Sequence, residues 1–273
     1  MGSVVLLTRT ILVILSTCYT NGLELADLYP YGTEHGDATR IGSGLPIAPL
    51  LAPINNLVGF GPANLRATRY ELAYTGYLEF KNDGIDLIYV NLLFGSGPLD
   101  QSRTKIHGRN TADPDLLKKA MDQINEAFSN VFCSTSPPTQ LIIVTWIDFA
   151  KAGSNLGSNF QLIVVTNGNI TFGIALYVNV DASITSATTG IEKYGNNNFA
   201  VVDHSLFPFG TTVTKAPTMM LNSNIPGTYI FSLNHIPPDT RNSFSISCKP
   251  RLVQLACEAM RINGEDVPAS CNN

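Results

Sequence analysis

The chain has 273 residues, 44% hydrophobic and 14% charged, which suits a folded globular protein and excludes a disordered one. A formal net charge of −4, with no basic cluster, argues against nucleic acid or an anionic membrane surface as partner. The 13 Phe and 10 Tyr suit strands, while 22 Gly and 16 Pro supply turns, so a β-rich protein with one sizeable core is expected.

The opening "MGSVVLLTRTILVILSTCYTNG" is an apolar run followed by small polar residues. Its longest uncharged part, Thr10 to Tyr19, has the length of a signal-peptide core and is too short for a membrane span of about 20 apolar residues. A cleaved secretory signal over 1–22 is expected, with the cut between Thr17 and Leu23, and hence a secreted, extracellular product. Loss of Cys18 with the signal leaves Cys133, Cys248, Cys257 and Cys271. An even number in an oxidising compartment makes these four disulfide candidates, with three possible connectivities. Three of them crowd into the last 26 residues. Either Cys133 ties that tail back to the domain, or the tail pairs with other chains.

After the signal, "LELADLYPYGTEHGDATRIGSGLPIAPLLAPINNL" is broken by Gly and Pro into turns and short extended pieces. Tyr29 and Tyr31, inside this segment, are candidates for an exposed binding patch. "RYELAYTGYLEF" reads as a strand pair or bent strand at Gly76, and "IDLIYVNLLF" as a buried strand. "GSGPLDQSRTKIHGRN" reads as a loop holding at most one short strand.

The period then changes. "DPDLLKKAMDQINEAF" aligns Leu117, Ala120, Met121, Ile124 and Phe128 on one face, with Asp113 as N-cap and Pro114 at the first helical position. This predicts the main helix, at about 113–128. "SPPTQLIIVTWIDF" returns to strand, with Trp146 expected in the core. "NFQLIVV" and "ITFGIALYV" then flank a hairpin turn centred on Asn167-Gly168. Asn169 and Thr171 complete an N-glycosylation acceptor at its exit. From Asp181 to Met220 the chain is Gly-, Asn- and Thr-rich with only short apolar islands, and Thr228 to Leu233 gives a last strand. The expected fold is α+β and β-rich: antiparallel sheets, one helix packed across a sheet, and a cysteine-containing tail.

Several of these stretches, in order, resemble the NIDO domain, the extracellular module of nidogen and alpha-tectorin. "LYPYGTEHGDA" resembles its opening, "DPDLLKKAMDQINEAF" its helix, "LIIVTWIDF" its Val-Thr-Trp strand, "SNFQLIVVTNGNITFGIALY" its hairpin with a Phe-Gln pair, and "NIPGTYIFSL" its closing strand. The departures lie mostly before the helix, where the family's Asn-Asn-Asn-Gly and Ala-Pro-Phe-Trp-Ala-Asp segments are replaced by "AYTGYLEF" and "IDLIYVNLLFGSG". The resemblance implies a non-catalytic module for cell–matrix adhesion or matrix protein interaction, with a NIDO-like domain over 23–236 and the tail over 237–273. It also implies that Gly36-Asp37 is a turn whose carboxylate caps backbone donors. Partners are then matrix or cell-surface proteins. The alternative is an assembly subunit linked to other chains through tail disulfides.

No catalytic site, metal site or cofactor is expected. His35, His107, His204 and His235 share no metal-ligand spacing, and no HExxH, CxxC or phosphate-cradling loop occurs. "DGID" at Asp83 to Asp86 is more simply a turn than a calcium site.

Overall fold

The computed structural model describes residues 22–234 except 56, 58–65, 83–86, 95–97, 130, 185–186, 196–197 and 204–212. The expected signal, the "DGID" turn, His204, His235 and the three tail cysteines therefore lie outside the described residues.

Early strands are β1 (Ala38–Ile41), β2 (Ala48–Ile54), β3 (Ala67–Ala73), β4 (Tyr77–Lys81), β5 (Leu87–Phe94) and β6 (Lys105–Thr111). Helix α1 (Pro114–Ala127) follows, then β7 (Gln140–Phe149), β8 (Ser158–Thr166) and β9 (Thr171–Asn179). The last three are β10 (Thr188–Gly195), β11 (Asn198–Asp203) and β12 (Thr228–Ser232). They form two six-stranded antiparallel sheets. One has the order β1-β6-β7-β8-β9-β12, the other β11-β10-β5-β4-β3-β2.

The central strands β7, β8 and β9 of the first sheet are buried on both sides. Ile142, Val144, Trp146, Phe160, Leu162, Val164, Ala175 and Tyr177 point to the second sheet and build the main core. Leu141, Ile143, Ile163, Val165, Phe172, Ile174 and Leu176 point the other way, under α1 and residues 28–29. A strand apolar on both faces needs a cover on both, and α1 supplies the outer one. Its buried face includes Ala120 and Ile124, with Phe128 following as C-cap. Asp113 caps it by accepting the N–H groups of Asp115 and Leu116, each at 3.0 Å, and Pro114 stands in the first turn. The helix expected from the sequence is therefore present, on the expected face.

The second sheet alternates. Tyr70, Leu72, Leu78, Phe80, Ile88 and Val90 enter the shared core, while Glu71, Tyr77, Glu79, Lys81, Tyr89 and Asn91 occupy alternate positions. No described helix packs on that outer side. We call the two the helix-side sheet and the open sheet.

Two expectations need correction. The region from Asp181 to Met220 holds two strands, β10 and β11. Its apolar pattern is short, and a register shift between Thr188 and Gly190 interrupts it, so pairing with β5 rather than local propensity makes β10 a strand. The hairpin between β8 and β9 closes through four residues, not two. Thr166 pairs Thr171, the Asn167 side-chain oxygen accepts the N–H groups of Asn169 (3.1 Å) and Ile170 (2.9 Å), and Gly168 takes φ +94°.

Candidate functional site

The outer surface of the open sheet gathers aromatic rings, charges and one unsatisfied amide. Register fixes the arrangement. Tyr77 on β4 faces Asn91 on β5, which faces Gly190 on β10. One row along, Glu71 faces Glu79, Glu79 faces Tyr89, and Tyr89 faces Glu192. The half-buried Tyr77 ring meets Tyr89 and Phe94 edge-on, each at 5.2 Å between centroids.

Lys81 joins Glu71 at 2.6 Å and Glu79 at 3.0 Å. Burial raises the Glu79 carboxyl above the usual range, and the Lys81 bond only partly offsets this. Burial also opposes the charge on Lys81, but bonds to Glu71 and Glu79 outweigh it and hold its ammonium above its ordinary pKa. Glu192 is 5% exposed. Asn91 is 0% exposed, and neither its amide oxygen nor its nitrogen has a hydrogen-bond partner. Leaving such a group buried and unpaired costs about 1–3 kcal/mol. The groups of this face were not picked out from the sequence. The signal was available in the alternation of "YLEF" and "LIYVN", where every second residue is polar or aromatic in an otherwise core-forming strand.

The family model for the nidogen-like (NIDO) domain matches residues 90–235, more than half of the chain. The chain belongs to the nidogen-like family. That family comprises non-catalytic modules of extracellular-matrix and cell-surface proteins. Comparisons with curated proteins and with solved structures find no match. In this nidogen-like chain β1–β4 precede the matched stretch, yet they complete both sheets.

The proposed Tyr29–Tyr31 patch is not an exposed surface. Tyr29 is 0% exposed. Its N–H donates to Gln161 Oε1 at 2.7 Å, its carbonyl accepts from Gln161 Nε2 at 2.9 Å, and its hydroxyl donates to Gln123 at 2.6 Å. Lys119 Nζ stands 4.2 Å from its ring centre. Burial drives the Tyr29 phenol well above its ordinary pKa. The error came from reading Pro and Gly breaks as exposure; the irregular segment is instead a cover for the sheet. Tyr31 is half-buried, its ring centre 5.4 Å from that of His107.

The nearby "HGD" is a structural clasp. Asp37 Oδ2 accepts the Gly32 N–H at 2.7 Å, and Oδ1 pairs with Arg109, which also donates to the Pro30 carbonyl at 3.0 Å. His107 Nδ1 lies 2.8 Å from the Thr39 hydroxyl, and His35 is exposed. Among the described residues no group of three or more His, Cys, Asp or Glu could hold a metal.

Asn169 is exposed at the hairpin tip, where its side-chain oxygen accepts from Asn55 Nδ2 at 2.9 Å. Cys133 lies just after α1, and every other cysteine lies outside the described residues. A cleft of about 320 Å³ separates α1 from the loop before β12, lined by Gln123, Glu126, Asn222, Ser223, Asn224 and Ile225 among others.

Proposed function

We propose that this chain is a secreted, non-catalytic module that mediates cell–matrix adhesion or matrix protein interaction. The observation that carries the reading is membership of the nidogen-like family. The half-buried rings of Tyr77 and Tyr89 on the outer side of the open sheet are in keeping with it, because aromatic residues are enriched at protein interfaces. The partners are matrix or cell-surface proteins. The functional domain spans 23–236, since β1–β4 fill places in both sheets, and 237–273 is an appended tail. Asn169 carries an N-glycan: the exposed hairpin tip has room for it, and that rim is then closed to protein partners. No helix among the described residues is long and apolar enough to cross a membrane.

The test is to express the full 273-residue chain in a secretory cell and partition it among lysate, medium and detergent-insoluble matrix. Retention in the matrix is expected. A product wholly in the medium removes adhesion, and cytosolic retention removes the signal peptide, the glycan and the disulfides together.

A second reading makes the chain an assembly subunit, joined to others through Cys248, Cys257 or Cys271. It rests on the crowding of three cysteines into the last 26 residues, with Cys133 available to tie that tail back to the domain instead. A ladder of species on a non-reducing gel selects assembly; a single monomer band selects an internal staple through Cys133.

A further inference from the structure

The cleft between α1 and the loop before β12 has the size and chemistry of a small-ligand site. Its volume of about 320 Å³ lies at the lower end of the range of about 300–1,000 Å³ in which such sites fall. One wall is α1, which contributes Gln123 and Glu126; the other is the loop, which contributes Asn222, Asn224 and Ile225. Two of these amides are each held by one atom. The Tyr29 hydroxyl donates to Gln123 Oε1 at 2.6 Å, and Asn222 Nδ2 donates to the Ile230 carbonyl at 2.9 Å. Neither amide has a further partner among the described residues, so Gln123 Nε2 remains a donor and Asn222 Oδ1 an acceptor. The loop wall is itself tied down, because Ser223 Oγ accepts the Ile225 N–H at 3.1 Å. Ile225 is 47% exposed, a large apolar side chain left uncovered in a polar wall.

Resting on the interaction-module reading, we propose that this cleft binds a neutral sugar ring on a glycan of a matrix or cell-surface partner. A pyranose carries hydroxyls that both donate and accept around its rim, and an apolar face of C–H groups. The hydroxyls match the Gln123 donor, the Asn222 acceptor and the Glu126 carboxylate, and the C–H face covers Ile225. Other ligand classes fit less well. No Lys or Arg lines the cleft, and Glu126 repels an anion, so a phosphate or sulfate is rejected. A wholly apolar ligand strips water from the amides and the carboxylate without replacing their hydrogen bonds. A peptide strand cannot add to β12 beside the cleft, because that edge is taken. Leu221 bridges Tyr229 in parallel, its N–H donating to the Thr228 carbonyl at 3.1 Å and its carbonyl accepting the Ile230 N–H at 3.0 Å.

The experiment is a titration of the ¹⁵N-labelled full chain with the methyl glycosides of glucose, galactose and mannose and with N-acetylglucosamine, followed by backbone and side-chain amide shifts. Inorganic sulfate and N-acetyl-trialanine amide serve as comparison probes. Saturable shifts at the Gln123 and Asn222 side-chain amides with at least one neutral sugar, and with neither comparison probe, are expected. Glu126 is exposed, so Glu126→Ala should weaken the response about tenfold with unchanged folding. Asn222→Gly removes the amide where the backbone takes φ +52°, a conformation glycine adopts freely, and should weaken the response as well. No response to any sugar, an equal response to sulfate or the peptide, shifts away from the cleft, or full binding by both variants would overturn the proposal. The responding sugar, at saturation, should also release the chain from the matrix fraction; binding without release would overturn the glycan as its source. Matrix retention without a sugar response removes this inference alone. A sugar response without matrix retention removes the adhesion reading and leaves the site.

Discussion

The two outer faces of the sandwich each bury a carboxamide, and they treat it in opposite ways. Gln161, on the helix-side face, accepts the Tyr29 N–H and donates to both the Tyr29 carbonyl and Thr145. Asn91, on the open face, bonds nothing. The difference is the covering segment. Residues 28–31 lie over the helix-side face and bring backbone groups that match the Gln161 amide. The open face has no such cover among the described residues. A buried polar group that is fully satisfied pins two elements together, while one left unsatisfied lowers stability.

That contrast breaks most visibly on the covered side. Ile124 is fully buried between α1 and the helix-side sheet, so Ile124→Ala should lower stability by about 3 kcal/mol through lost burial and a residual cavity. Urea unfolding followed by Trp146 fluorescence measures it. A loss under about 1 kcal/mol would mean that α1 is not held by this face. Gln161→Leu tests the clasp itself. It strands the Tyr29 N–H and carbonyl and should cost about 2 kcal/mol, with enhanced hydrogen exchange confined to residues 28–31. Unchanged exchange there would show that the amide does not fasten the cover.

On the open face the sign reverses. Asn91→Leu replaces an unpaired amide with an apolar side chain of the same branched heavy-atom shape and should raise stability by about 1 kcal/mol. The urea midpoint should rise with an unchanged slope. A fall would show that Asn91 contributes to the fold on its own.

The contrast between faces was half legible in the sequence. "LIIVTWIDF" and "QLIVV" are almost wholly apolar, which marks strands covered twice, and the 3.6-residue pattern from Asp113 announced the cover. "YELA" and "YLEF" alternate, which marks strands covered once. The Asp113–Pro114 start and the core place of Trp146 followed from local rules. The rest depended on distant pairing. Nothing local to Tyr29 says that Gln161, 132 positions on, will bury it. Nothing local to β10 says that β5 will hold it in register. The candidate site is built by that same non-local register, from β4, β5 and β10, so its residues could not be grouped before the sheet order was known.

The smallest expected effect lies at the rim of the covered face, where His107 meets the covering segment. Thr39 of β1 bonds its Nδ1, Tyr31 lies against its ring, Asp37 and Glu34 approach from the cover, and Lys105 shares its strand. Burial lowers its pKa below the ordinary imidazole value; Asp37 and Glu34 pull it up, and Lys105 pushes it further down. The fold therefore prefers the neutral ring. As pH falls through the ordinary histidine range, near about 6.5, the unfolded chain takes up the proton first. His107 thus contributes stability that is complete above that range and is lost as pH drops through the folded-state pKa. His107→Gln should flatten the decline in melting temperature between about pH 7.5 and about pH 5.5 without changing the value at the upper end by much. The open face carries no histidine among its described residues, so Asn91→Leu should leave the pH slope as it is. A slope unchanged by His107→Gln would place the acid sensitivity elsewhere and show that the Tyr31–His107 contact does not tie the cover to the sheet.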